Sequence, residues 1–248
     1  MHSFSHRITD AFDYARVALG SQTRKGSNMP YVYHLLGIAS LVIEFGGDED
    51  EAIAGLLHDV VEDYGVEHLA AVRTMFGEKV ARILTDCTVG AEHAKERFDS
   101  AETKREDWQQ RKEQHLAHLE QANEMALLVS ACDKLQKARA IVKGLESDEI
   151  GTTTFDHLFG EREETLWYYR SLASIFSKRG TPPSEALLET VMHMHALLGD
   201  EWPQSIEAGS LRPLPSQRSL HAYRAGMPAE PVNAQPLLPH AAENPAQL

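Results

Sequence analysis

DEDEAIAGLLHDVVED, residues 48–63, carries both the helical signal and the candidate chemistry of this chain. Asp48 can cap a helix, and Glu51 three residues on completes a capping-box pattern. Ile53, Leu56, Leu57, Val60 and Val61 recur at helical spacing and predict a buried stripe. The pair His58-Asp59 interrupts this helix at the end of its apolar run. The two are about 100° apart around the axis, so both can lean toward one ion. Glu62 follows His58 by one turn and Asp63 follows Asp59 by one turn, so four ionisable groups stand together. Acids packed this closely repel one another, and a bound divalent cation relieves that repulsion.

A lone His-Asp pair at a helix end is ordinarily a solvated charge cluster. Three features outside the stretch turn the reading toward a site. His34 lies at the start of the preceding helix, which Pro30 opens and Gly46-Gly47 ends, with Leu35, Ile38, Leu41, Val42 and Phe45 as its apolar stripe. An antiparallel pairing of the two helices brings His34 toward His58. Asp133 sits inside a later apolar helix and needs a partner there, which is either an ordinary salt bridge to Lys134 or Lys137 or a metal. Arg24-Lys25, in the loop before His34, offers cations close to an anion site.

Further out, the same periodicity predicts helices over 7–19, 66–76, 78–88, 103–120, 124–143, 161–178 and 183–198. Nothing in the first 200 or so residues alternates with period two, so the fold class is all-α, a helical bundle. Eight of the eleven prolines fall from Pro203 onward, which predicts a domain over 1–202 and an irregular, proline-rich tail over 203–248.

Composition narrows the function. The 248 residues carry a formal net charge of −13, which repels duplex nucleic acid but leaves room for a small phosphorylated ligand beside a metal and local cations. No apolar run is long enough to span a bilayer and the N-terminus lacks an apolar signal core, so a cytoplasmic protein without membrane partners is expected. Cys87 and Cys132, both in apolar helical patterns, read as buried free thiols rather than a disulfide.

Taken together, Arg24-Lys25-Gly26, Pro30-Tyr31, His34, Leu56 through Asp63 and Asp133-Lys134-Leu135 resemble the HD-superfamily hydrolase domain of the Rel/Spo stringent-response enzymes. They are still more similar to the stand-alone small alarmone hydrolases. Phe76-Gly77-Glu78-Lys79-Val80-Ala81 and Leu166-Trp167-Tyr168-Tyr169-Arg170 extend the resemblance, which runs from Ile8 to Lys178. It implies one divalent metal, usually manganese, on His34, His58, Asp59 and Asp133. It implies that Glu62 and Asp63 position and activate the attacking water, that Arg24 and Lys25 contact the nucleotide, and that Lys134 is a further contact. Relatives carry Asp-Lys-Leu-His-Asn or Asp-Arg-Leu-His-Asn where this chain has Asp133-Lys134-Leu135-Gln136-Lys137, so Lys137 replaces an Asn that contacts ligand. Lys137 can pair with Asp133 or Glu62, or reach a phosphate. The expected activity is removal of the 3′-pyrophosphate of (p)ppGpp or a related alarmone. The alternatives are an HD phosphohydrolase for another nucleotide or phosphorylated cofactor, and a non-catalytic nucleotide-binding regulator. Trp167, Tyr168 and Tyr169 read as core, with base stacking the alternative.

Overall fold

The periodic segments become nine α-helices and one 3-10 helix among the residues described by the structure, a computed structural model. Those residues are 4–19, 22–23, 29–88, 101–158 and 162–200; the side chains of residues 62–64, 66–67, 101–102 and 157 lie outside the description. The helices are α1 (Arg7–Leu19), α2 (Val32–Glu44), α3 (Glu49–Tyr64), α4 (Val66–Phe76) and α5 (Glu78–Cys87). They continue with α6 (Ala101–Leu119), α7 (Glu124–Leu145), a 3-10 turn (Gly151–His157), α8 (Arg162–Lys178) and α9 (Ser184–Leu197). The expected all-α class holds. The tail expected over 203–248 lies outside the described residues, as does the Arg24-Lys25-Gly26 loop.

Asp48 caps α3 as its sequence predicts: its carboxylate accepts from the Glu51 backbone N–H at 3.1 Å, and Glu51 Oε2 accepts from the Asp48 N–H at 2.8 Å. Gly65 at φ 99° and Gly77 at φ 95° separate α3 from α4 and α4 from α5, with backbone that other residues adopt only under strain.

Helix α3 runs to Tyr64 with Val60 and Val61 buried, as their place in the expected stripe requires, and the pair His58-Asp59 faces other helices rather than solvent. Two expectations need correction. Pro30 does not open α2; it bridges to Thr23, and Tyr31 donates its N–H to Gln22 at 3.0 Å, so the helix starts at Val32. Cys132 is buried, but Cys87 is only half-buried, at the last residue of α5; both thiols are free.

The core is built around α3 and α7. Helix α7 packs on α2, α3, α5, α8 and α9, and α3 packs on α1, α2, α4 and α5 as well. Fourteen of the residues of α7 are buried, including Leu127, Leu135 and Ala138. Gly55 lets α2 and α3 approach closely, since a Cβ there would lie 3.2 Å from Ile38 Cγ2 and 3.5 Å from the Ala39 nitrogen. At the far end, Arg179 gathers the free carbonyls after α6, donating to Leu119, Glu120 and Ala122 at 3.0, 2.8 and 2.8 Å. Tyr168 and Tyr169 belong to the core, as expected, whereas Trp167 sits at the surface.

Candidate metal centre

Helices α2, α3 and α7 each send polar side chains into one buried point. His34 comes from the first turn of α2, His58 and Asp59 from α3, and Asp133 from the middle of α7. Their exposures are 1, 6, 4 and 3 %, so water does not solvate these groups. His34 Nε2 lies 3.3 Å from Asp133 Oδ1 and 3.5 Å from Asp59 Oδ2. His58 Nε2 lies 3.0 Å from Asp59 Oδ1 and 3.7 Å from Asp133 Oδ1.

These are ion-pair distances without hydrogen-bond alignment. His34 Nε2, His58 Nε2 and Asp133 Oδ1 are all buried with no hydrogen-bond partner. Buried polar atoms are almost always paired, because leaving one unpaired costs about 1–3 kcal/mol. Three such atoms converging on one point form a donor set of the kind that can hold a cation. His34, His58 and Asp59 can each offer a ligand atom within 4.8 Å of the others, and Asp133 Oδ1 stands close to both imidazoles. Two imidazoles and two carboxylates fit a divalent first-row metal.

The surrounding groups hold the donors in place. His58 Nδ1 meets the Gly55 carbonyl at 2.9 Å; a carbonyl only accepts, so Nδ1 carries the proton and Nε2 faces the site. His34 Nδ1 meets Gln136 Oε1 at 2.7 Å. The Tyr31 phenol donates to Asp59 Oδ2 at 2.6 Å.

Charge is dense here. Burial opposes a charged His58, but Asp59 and then Asp133 outweigh it and push the imidazole up to about 10. Burial likewise opposes both carboxylates. His58 and Lys137 nonetheless hold Asp59 well below the usual carboxylate range, and Lys134 and Lys137 do the same for Asp133. Both acids are thus held toward the ionised form, which is the form that can bind a divalent cation.

Of the other predicted site residues, Lys134 donates to Asp133 Oδ2 at 2.6 Å. Lys137 donates to the same oxygen at 3.1 Å and lies 2.9 Å from Oδ1, out of alignment. The salt-bridge partner weighed for Asp133 is therefore present alongside the imidazoles. Glu62 and Asp63 occupy the last turn of α3, and their side chains are outside the description. Arg24 and Lys25 are outside it altogether.

Two residues that touch the donors, Tyr31 and Gln136, stand in the sequence pattern without an expected role. Tyr31 stands three residues before His34, and Gln136 three after Asp133, each one helical turn from a donor. A polar residue in the apolar face of α7 was the available signal for Gln136. An open groove between α1 and α4, lined by Tyr14, Val17, His68 and Met75, shares no residue with this cluster.

Residues 11–157 match the family model of the HD domain. Over 81 residues the chain is 38 % identical to a probable guanosine-3′,5′-bis(diphosphate) 3′-pyrophosphohydrolase of Synechocystis sp., covering 33 % of this chain and 10 % of that protein. It is 31 % identical over 142 residues to the guanosine-3′,5′-bis(diphosphate) 3′-pyrophosphohydrolase MESH1 of Xenopus tropicalis, covering 56 % of this chain and 72 % of that one. The chain spans about a tenth of the length of the Synechocystis and Aquifex aeolicus relatives. Among solved structures, a metazoan ortholog of SpoT that hydrolyses ppGpp superposes with a TM-score of 0.60 at 21 % identity, over 79 % of this chain and 99 % of that chain, so the fold is shared.

Proposed function

The chain belongs to the HD domain family, and on that premise we propose that it is a metal-dependent phosphohydrolase that removes the 3′-pyrophosphate of (p)ppGpp or a related alarmone. The observation that carries the proposal is the convergence of three unpaired buried donor atoms, His34 Nε2, His58 Nε2 and Asp133 Oδ1, beside the ionised Asp59. Such a set is costly to a fold unless an ion uses it. The names of the relatives supply the substrate class.

In this reading His34, His58, Asp59 and Asp133 hold the metal, and Mn²⁺ suits their mixed imidazole and carboxylate donors. When bound, the ion supplies Lewis acidity at the phosphoryl group and lowers the pKa of a water. Glu62 and Asp63, one turn beyond the donors on α3, orient that water and take its proton. The water attacks the phosphorus carried on the 3′-oxygen, the bond to that oxygen breaks and the oxygen takes up a proton as the 3′-hydroxyl, and pyrophosphate separates from the nucleoside 5′-di- or triphosphate. Lys134 and Lys137, which pair with Asp133, are the nearby cations that would neutralise the charge that develops on the phosphoryl group. Arg24 and Lys25 bind the nucleotide.

A second reading keeps the site and changes the nucleotide. It is favoured by Lys137, a fixed cation where the family pattern has an amide. One experiment separates the two. Metal-stripped protein is reloaded with Mn²⁺ and given (p)ppGpp beside a panel of nucleotides, with pyrophosphate and orthophosphate measured separately. Pyrophosphate release from (p)ppGpp is expected, and Glu62→Ala should abolish it while metal content stays unchanged. Orthophosphate release from another nucleotide alone shifts the substrate to the second reading. Inactivity on every nucleotide ends both.

A further inference from the structure

His34 and His58 are fixed by different means. The proton on His58 Nδ1 goes to a main-chain carbonyl of its own helix, Gly55, three residues earlier. His34 has no such local arrangement. Its Nδ1 finds Gln136 Oε1 at 2.7 Å, across 102 residues of chain, from a side chain that is itself 9 % exposed. Gly37 makes the space for that reach: a Cβ at residue 37 would lie 3.2 Å from both Cγ and Nε2 of Gln136. Helix α2 is thus notched one turn after His34, and Gln136 of α7 lies against the notch.

Resting on the metal-centre reading above, we infer that Gln136 is the positioning residue that keeps the His34 proton on Nδ1 and aims the Nε2 lone pair at the cation. The chemistry has two branches. With Oε1 toward the ring, Nδ1 must donate, and Nε2 is left as an acceptor able to ligate. With the amide reversed, its NH₂ would donate to Nδ1, the ring proton would move to Nε2, and His34 could not serve as a ligand through that atom. Partners of this kind on the remote nitrogen of a metal-binding imidazole set the ring's orientation and basicity, and their removal weakens metal binding roughly 10–100-fold. This chain has Gln at the position and the Gly37 notch that accommodates it.

The test uses the full chain and reads metal affinity and proton position, independent of turnover. Metal-stripped wild type, Gln136→Met and Gln136→Glu are titrated with Mn²⁺ while free Mn²⁺ is followed by electron paramagnetic resonance. Gln136→Met, of similar length but without an acceptor, should bind roughly 10–100-fold more weakly. Gln136→Glu, which keeps the acceptor, should bind at least as tightly as wild type. In Cd²⁺-loaded protein with ¹⁵N-labelled imidazoles, His34 should show a protected proton on Nδ1 in wild type and in Gln136→Glu, and lose that protection in Gln136→Met. Wild-type Mn²⁺ affinity in Gln136→Met overturns the inference. So does a His34 ring in loaded wild type that carries its proton on Nε2. If Gln136→Met fails to fold, the proton position in wild type and Gln136→Glu decides alone. A wild type that binds Mn²⁺ but hydrolyses no nucleotide sinks the proposed function and leaves this inference standing; a wild type that binds no Mn²⁺ sinks both.

Discussion

The two halves of α3 carry acidic side chains under opposite conditions. At the N-terminal end, Asp48, Glu49, Asp50 and Glu51 sit where the helix dipole favours anions, and their partners are at hand. Arg7 reaches Glu49 at 3.2 Å and Asp50 at 2.7 Å, Lys79 pairs with Asp48, and the capping box uses the rest. Three turns further on, Asp59 is buried, gets no help from the dipole, and shares a point with imidazole and carboxylate atoms that have no hydrogen-bond partner. Satisfied acids at one end make a helix start. Unsatisfied groups at the other make a socket. The distinction lies in pairing, not in residue type.

The largest effect expected from this contrast is at the socket. Asp59→Asn should bring Mn²⁺ binding and turnover to background while leaving the helical content seen by circular dichroism intact. An active Asp59→Asn protein would break the comparison at its root. Next in size is the ion's own contribution to stability. Mn²⁺ at about 100 times its dissociation constant should add about 2.7 kcal/mol, read as a raised melting temperature, and Asp59→Asn should abolish that increment.

Smaller effects belong to the paired end. Asp48→Ala should cost about 1 kcal/mol by denaturant unfolding, with or without Mn²⁺, because it removes a cap and not a ligand. Its pH dependence has a definite sign. Burial opposes ionisation of Asp48, but Lys79 and the Glu51 N–H outweigh it and hold the carboxyl below its usual value. The stabilisation from that carboxylate is therefore complete above the unfolded pKa of about 4 and fades as pH falls through the lower folded value. Wild type and Asp48→Ala should accordingly converge in stability under acid; a gap that widens there would contradict the assignment. Lys79→Met should cost least, within about 0.2–1 kcal/mol and less in high salt, since that pair is more than a third exposed.

Both ends of α3 could be read in advance, to different depths. The capping box is local: Asp48 and Glu51 are one turn apart and need nothing else. The donor set was readable from residue types and order, through a family pattern. What escaped was whatever depends on a particular interhelical contact. Gln136 touches His34 only because α7 crosses the notch at Gly37, and Tyr31 touches Asp59 only because α2 lies close against α3 near Gly55. The 3-10 turn at Gly151–His157 has no apolar periodicity to announce it, and Thr153 Oγ1 donates to the Ile150 carbonyl at 2.6 Å there.

The spacing of the donors along the chain also sets an order of events. His34, His58 and Asp59 come from neighbouring helices whose pairing is a short-range step, whereas Asp133 must travel in from a distant segment. On the proposed reading, a chain still being synthesised, or one halfway through refolding, would present an incomplete set of donors and hold an ion only weakly. Tight capture would wait for α7 to dock, so retention of a divalent ion would serve as a clock for that long-range closure. Refolding followed by ion uptake should lag behind refolding followed by helix formation.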